Sequence, residues 1–153
     1  MNKPAFIILL FAASPAVFGQ DVPTCQFIDT PAGRLTANHC GLKTATYLDP
    51  EIDFAIDVRV TGKTETSDSS PAVFVDRRGG VHKIVITRRT VRFWFVEMKF
   101  FPGESGSGVF DENGRCCGIV LGNTKFEKWV GRILRLSHAA DRSPVFKLDK
   151  TGR

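Results

Sequence analysis

The sequence predicts an all-β domain built as a barrel or sandwich of short strands. Three observations lead there. Runs of β-forming residues recur at short intervals, while the 3.6-residue spacing of an amphipathic helix is scarce. Two of the breaks between runs are glycine-bearing turns, Arg77-Arg78-Gly79-Gly80 and Asp111-Glu112-Asn113-Gly114. The length is that of one domain: 153 residues, 42% hydrophobic and 24% charged. Such a domain buries roughly 70% of the surface its unfolded chain exposes, enough for a core. Thirteen Phe against one Tyr and two Trp fill that core with few polar atoms to satisfy.

From the amino terminus, residues 1–19 read as an export leader. Lys3 precedes an uncharged run from Ala5 to Phe18, and Val17 and Gly19 suit the positions three and one before a cut after Gly19. The run is shorter than the ~20 residues a membrane-spanning helix needs. No membrane contact is therefore expected once the leader is removed, and the mature protein is placed outside the cytoplasm, secreted or periplasmic. An oxidising compartment makes disulfides available to Cys25, Cys40, Cys116 and Cys117. Four cysteines allow three full pairings, and adjacent ones bridge each other only with strain.

Residues Thr61 to Ser70 form a polar loop. Phe74-Val75 and Val81 to Thr87 flank the first glycine turn as a hairpin. Val91 to Phe100 alternates, with Phe93, Phe95 and Glu97 on one face and Trp94, Val96 and Met98 on the other. Val109-Phe110 and Cys116 to Leu121 flank the second turn. Trp129 to Leu136 is a further strand before a polar tail. The formal net charge of +5 becomes +4 without Lys3. Its excess lies mostly in Arg77, Arg78, Lys83, Arg88, Arg89 and Arg92, a solvated hairpin surface. Stacking aromatics interleaved in a loop are not evident, so no nucleic-acid partner is expected.

Three patches carry chemistry. In Gly103-Glu104-Ser105-Gly106-Ser107-Gly108, flanking glycines allow a tight turn that exposes a serine hydroxyl beside backbone N–H groups. A glycine-rich loop alone accounts for such a run, and its context distinguishes it. Val109-Phe110-Asp111-Glu112-Asn113-Gly114-Arg115 followed by Gly118-Ile119-Val120 resembles the strand, turn and strand after the nucleophile in chymotrypsin-like serine proteases. The stretch is closest to HtrA-type and viral capsid-type enzymes. Upstream, Leu35-Thr36-Ala37-Asn38-His39-Cys40 resembles the Thr-Ala-x-His-Cys signature of the same superfamily. Asp49-Pro50-Glu51-Ile52-Asp53-Phe54-Ala55-Ile56 is similar to the Asp-Pro-x-x-Asp-x-Ala segment of HtrA-type proteases. The order His, Asp, Ser is that of the chymotrypsin-like superfamily.

The resemblance implies a chymotrypsin-like double β-barrel, with residues 20–66 as the first barrel and 67–153 as the second. It implies a serine endopeptidase acting on proteins or peptides through an acyl-enzyme, without cofactor or metal. His39 becomes the general base, Asp53 its orienting carboxylate and Ser105 the nucleophile, with the N–H groups of Gly103 and Ser105 as oxyanion donors. Asp57 is the alternative carboxylate on the same strand, and Asp49 reads as a turn former before Pro50. A Cys25–Cys40 disulfide is implied, closing a loop worth about 3 kcal/mol, with Cys116 and Cys117 unbridged along a strand. Lys99, six residues before Ser105, falls where the family often has the base of its specificity pocket, which implies a preference for acidic residues. As a strand-edge lysine it would instead reach into water.

The chain also departs from the family. Only thirteen residues lie between His39 and Asp53, so the first barrel is reduced by a hairpin. Glu104 stands where Asp or Asn is usual, and no Ile-Val-Gly-Gly start exists for a zymogen switch. His82 and His138 fit no motif and read as surface or core residues. The short His–Asp segment leaves room for an inactive protease-fold binding module. The stretch after Ser105 leaves room for a viral self-cleaving protease or capsid protein. Oligomeric state is not legible.

Overall fold

The computed structural model describes residues 15–16, 25–124 and 129–149. The expected leader, residues 1–19, lies outside them except for the two-residue strand β1 (Pro15–Ala16), which pairs antiparallel with β2 (Cys25–Gln26). Four strands make the first sheet: β3 (Ile28–Thr30), β4 (Gly33–Ala37), β5 (Tyr47–Asp49) and β6 (Phe54–Asp57). Their order is β3-β4-β6-β5 and every pair is antiparallel.

The second sheet has seven strands. They are β7 (Val73–Val75), β8 (Val81–Lys83), β9 (Ile86–Arg89), β10 (Phe93–Glu97), β11 (Gly108–Phe110), β12 (Cys116–Asn123) and β13 (Val130–Arg135). Their order is β8-β7-β11-β12-β13-β10-β9. The two outermost strands, β8 and β9, are joined only by Ile84-Val85. A connection that short brings the two ends of the sheet together, so the sheet curls back on itself. The expected single strand Val81 to Thr87 is split there because buried Ile84 turns into the interior.

Both expected turns are held by an aspartate. Asp76 Oδ1 accepts the N–H groups of Arg78 and Gly80, and Asp111 Oδ1 accepts those of Asn113 and Arg115. Each carboxylate thus replaces backbone partners that the turn leaves without a ladder. The alternation expected of β10 is present: Trp94 and Val96 enter one core with Phe74, Val109, Val120 and Ile133. Phe93 packs from the other face against a second core around Leu35, Phe54, Ile56, Phe110, Ile119 and Leu134. Strand β12 is buried on both sides, Ile119 facing one core and Val120 the other. That explains its continuous apolar run, which has no polar alternation.

The tail after β13 is not simply polar. Helix α1 (Leu136–Arg142) places Leu136 and Ala139 on the first-sheet core, and the following strand-less segment adds Phe146, whose ring lies 5.5 Å from that of Phe54. Seven residues are too few to show a helical period. Arg142 ties the helix to the first sheet, Nε donating to Asp49 Oδ2 at 2.6 Å and Nη2 to Glu51 Oε1 at 2.9 Å.

Candidate active site

Cys25 and Cys40 are bridged, with Cα atoms 6.0 Å apart, so β2 is tied to the 3-10 turn Asn38–Cys40 that follows β4. The turn lifts His39 out of the sheet into solvent. Asp53 stands just before β6 in the left-handed region, φ 61°. That conformation costs an L-residue about 1–2 kcal/mol, less for Asp than for most. Three contacts hold it: its carbonyl accepts the Asn38 N–H at 3.0 Å, Oδ1 accepts the His39 N–H at 2.8 Å, and Oδ2 meets His39 Nδ1 at 2.7 Å. A carboxylate can only accept, so in the neutral ring Nδ1 carries the proton. Nε2 is then left as an acceptor, and Ser105 Oγ lies 2.9 Å from it.

Two successive tight turns present Ser105. Glu104 N–H donates to the Phe101 carbonyl at 3.1 Å, and Ser107 N–H to the Glu104 carbonyl at 3.0 Å. The third residue of each turn is a glycine at positive φ, Gly103 at 93° and Gly106 at 90°. At Gly106 a side chain would also collide with the Gln26 carbonyl and Thr36 Oγ1. The serine turn is pinned to the first sheet by Gln26 N–H, donating to the Ser105 carbonyl at 2.8 Å. Among the described residues neither the Gly103 nor the Ser105 N–H donates to a protein acceptor. Both remain available to a ligand oxygen.

The hydrogen bond that Asp53 accepts raises the His39 pKa above 6.5, burial and the Arg132 cation opposing it. Arg132 escaped the sequence reading, as did Gln26 and the Leu121 carbonyl, which accepts Ser105 Oγ at 3.4 Å. No motif marks them, because their positions follow only from cross-strand register.

Other expected residues lie elsewhere. Asp57 is buried, its Oδ1 occupied by the backbone N–H and Nε of Arg59 at 3.0 and 3.1 Å. Asp49 does form a turn, accepting Glu51 N–H, and also anchors Arg142. Glu104 is buried and closes its own turn, Oε1 accepting the Phe101 N–H. His82 is at the surface, bonded to Asp76 at 2.7 Å, and His138 is half-buried. Lys99 is exposed between the rings of Trp129 and Phe101, 5.4 and 5.7 Å from their centroids. It lines a cleft of about 820 Å³ with Arg77, His82 and Gly103, one that none of His39, Asp53 and Ser105 lines. Cys116 and Cys117 are free and buried in β12. No group of three or more metal-ligating side chains occurs among the described residues.

No protein-family model matches the chain, and neither does any curated protein. Solved structures do. The active form of the Rv3671c protease of M. tuberculosis aligns over 99% of this chain and 88% of its own, with TM-score 0.63 and 14% identity. A serine endoprotease of Yersinia pestis aligns over 92% of this chain and 64% of its own, with TM-score 0.64 and 15% identity. A human pathogenic astrovirus serine protease aligns over 88% and 91%, with TM-score 0.62 and 16% identity. The likeness is one of fold: the chain has the chymotrypsin-like architecture, its first sheet reduced to four strands.

Proposed function

We propose that this protein is a serine endopeptidase, exported and acting on protein or peptide chains. The observation that carries the reading is the hydrogen-bonded chain from Asp53 through His39 to Ser105, at 2.7 and 2.9 Å, joining residues of both sheets. Thirteen residues between His39 and Asp53 suffice to bring the two into contact, which supports an enzyme over an inactive binding module. The Cys25–Cys40 bridge supports an oxidising compartment. Residues 20–66 and 67–153 are proposed as the two barrels.

In this reading Ser105 Oγ attacks the carbonyl carbon while His39 Nε2 takes the hydroxyl proton. The carbonyl π-pair moves onto oxygen, where the free N–H groups of Gly103 and Ser105 receive the charge. Asp53 holds the Nδ1 proton and stabilises the imidazolium. Collapse of the tetrahedral intermediate breaks the C–N bond, and Nε2–H protonates the departing amine. Water then attacks the Ser105 ester with the same base, releasing the acid. A fluorophosphonate probe tests this directly: wild type should label and Ser105→Ala should not. Absence of labelling in the folded wild type overturns the reading and leaves a binding module.

A further inference from the structure

Four strands of the second sheet line up one residue each in a row that ends near Ser105. Arg88 on β9 is opposite Phe95 on β10, Phe95 opposite Arg132 on β13, and Arg132 opposite Gly122 on β12. Directly opposed residues of antiparallel strands share a face, and two contacts bear this out. The Arg88 guanidinium lies 4.3 Å from the Phe95 ring centroid, and that of Arg132 lies 4.8 Å from the Phe93 ring centroid. The row ends beside the nucleophile, since Leu121, whose carbonyl accepts Ser105 Oγ, immediately precedes Gly122. Among the described residues, chain neighbours aside, a side chain at Gly122 would meet nothing within 4 Å. Among those residues the space over Gly122 is thus open, one residue from the Leu121 carbonyl that Ser105 reaches and opposite Arg132 on β13.

Among the described residues Arg132 has one ring contact, with Phe93. Among the described residues no carboxylate lies at ion-pair distance from it or from Arg88. A guanidinium carries five N–H donors, so its contact with the Phe93 ring is compatible with hydrogen bonds to a ligand. Its charge also bears on His39, favouring the neutral ring. Lys99 lines a cleft that reaches Gly103 and Glu104 but does not include Ser105.

We infer that Arg132 is the specificity-determining residue of the proposed protease, receiving a substrate Asp or Glu whose own carbonyl is the one attacked by Ser105. A carboxylate in the space over Gly122 would meet the guanidinium as a charge-assisted pair. The inference rests on the protease reading, so its test keeps the two apart. Peptides identical except for Glu, Gln or Lys before the cleaved bond are compared by kcat/KM, alongside fluorophosphonate labelling of wild type. Wild type should favour Glu over Gln by roughly 10- to 100-fold, and Arg132→Gln should erase that ratio. Arg132→Glu should favour Lys. Separately, Ser105→Ala should bind peptides ending in Glu more tightly than those ending in Lys. A wild type that labels but shows no acidic preference overturns the inference and leaves the protease reading standing. A preference that survives in Arg132→Gln and vanishes in Lys99→Gln overturns it in favour of Lys99. If nothing labels and Ser105→Ala binds both peptides alike, both fall.

Discussion

Each of the three residues at the site has one atom committed to the next, so their substitutions should not add. Removing Ser105 or His39 as Ala leaves nothing for the remaining pair to activate, and each change should lower turnover by about 10⁶. Asp53→Asn keeps the ring but gives Nδ1 a donor to face, favouring the wrong tautomer, and should cost roughly 10⁴. Steady-state kinetics on one good peptide would show it, and equal losses from all three would point to a merely structural role for Asp53. The same geometry sets the pH profile. His39 must be neutral to accept a proton, and its pKa is raised, chiefly by the Asp53 hydrogen bond. Activity should therefore rise with pH through a limb lying above 6.5. Asp53→Asn removes what raises the pKa, so the limb should move down. Arg132→Gln removes a nearby cation that favours the neutral ring, so the limb should move up. Opposite shifts in kcat/KM profiles of the two variants are the expected result, and parallel shifts would contradict the electrostatics.

Among the elements, those carrying local punctuation were legible in the sequence. The turns at 77–80 and 111–114, the alternation over Phe93 to Glu97 and the glycine-flanked Ser105 all declare themselves within a few residues. What escaped depends on contacts made far along the chain. Arg132 and Gln26 reach the site only through strand register and packing, and α1 is a helix of about two turns stabilised from outside by Asp49 and Glu51. That clamp has an acid signature. The Arg142 hydrogen bond holds the Asp49 carboxyl below its ordinary value of 3.8. A depressed carboxylate contributes stability that is present above the unfolded pKa and is lost as pH falls through the folded one. Wild type should thus lose stability below about pH 4 more steeply than Arg142→Met, read as Tm against pH; identical curves would mean that the ion pair is solvated away. Strand β12 makes a chemical prediction as well. Burial pushes the Cys116 thiol up to about 12 and raises Cys117 well above its ordinary value. The thiolate is the reactive form, so neither should be alkylated at pH 8 until the protein unfolds. Mass spectrometry of native and denatured samples after iodoacetamide would show it, and rapid native labelling would place those thiols outside the core.

At the scale of the whole molecule, the two cores share strands of the second sheet. Strands β12 and β13 send Ile119 and Leu134 to one core and Val120 and Ile133 to the other. The chain then returns from the second sheet to the first through Leu136, Ala139 and Phe146. This return was hidden in a tail that reads as polar, because beyond Leu136 its only large apolar residues are Val145, Phe146 and Leu148. Its consequence is that the geometry around Asp53 and the global stability should be coupled far from Ser105. Phe146 is fully buried against Phe54, the residue that follows Asp53. Phe146→Ala should destabilise by about 3–5 kcal/mol through lost burial and a residual cavity. Phe146→Leu, which keeps more of the volume, should cost less. Because both cores share β12, unfolding should remain one transition in each variant. Fluorescence of Trp94, buried in the second core, should then follow the same denaturant curve as loss of fluorophosphonate labelling at Ser105. Two separated transitions in Phe146→Ala, with labelling lost first and Trp94 unaffected, would show that the sheets fold as independent units and that the shared strands do not couple them.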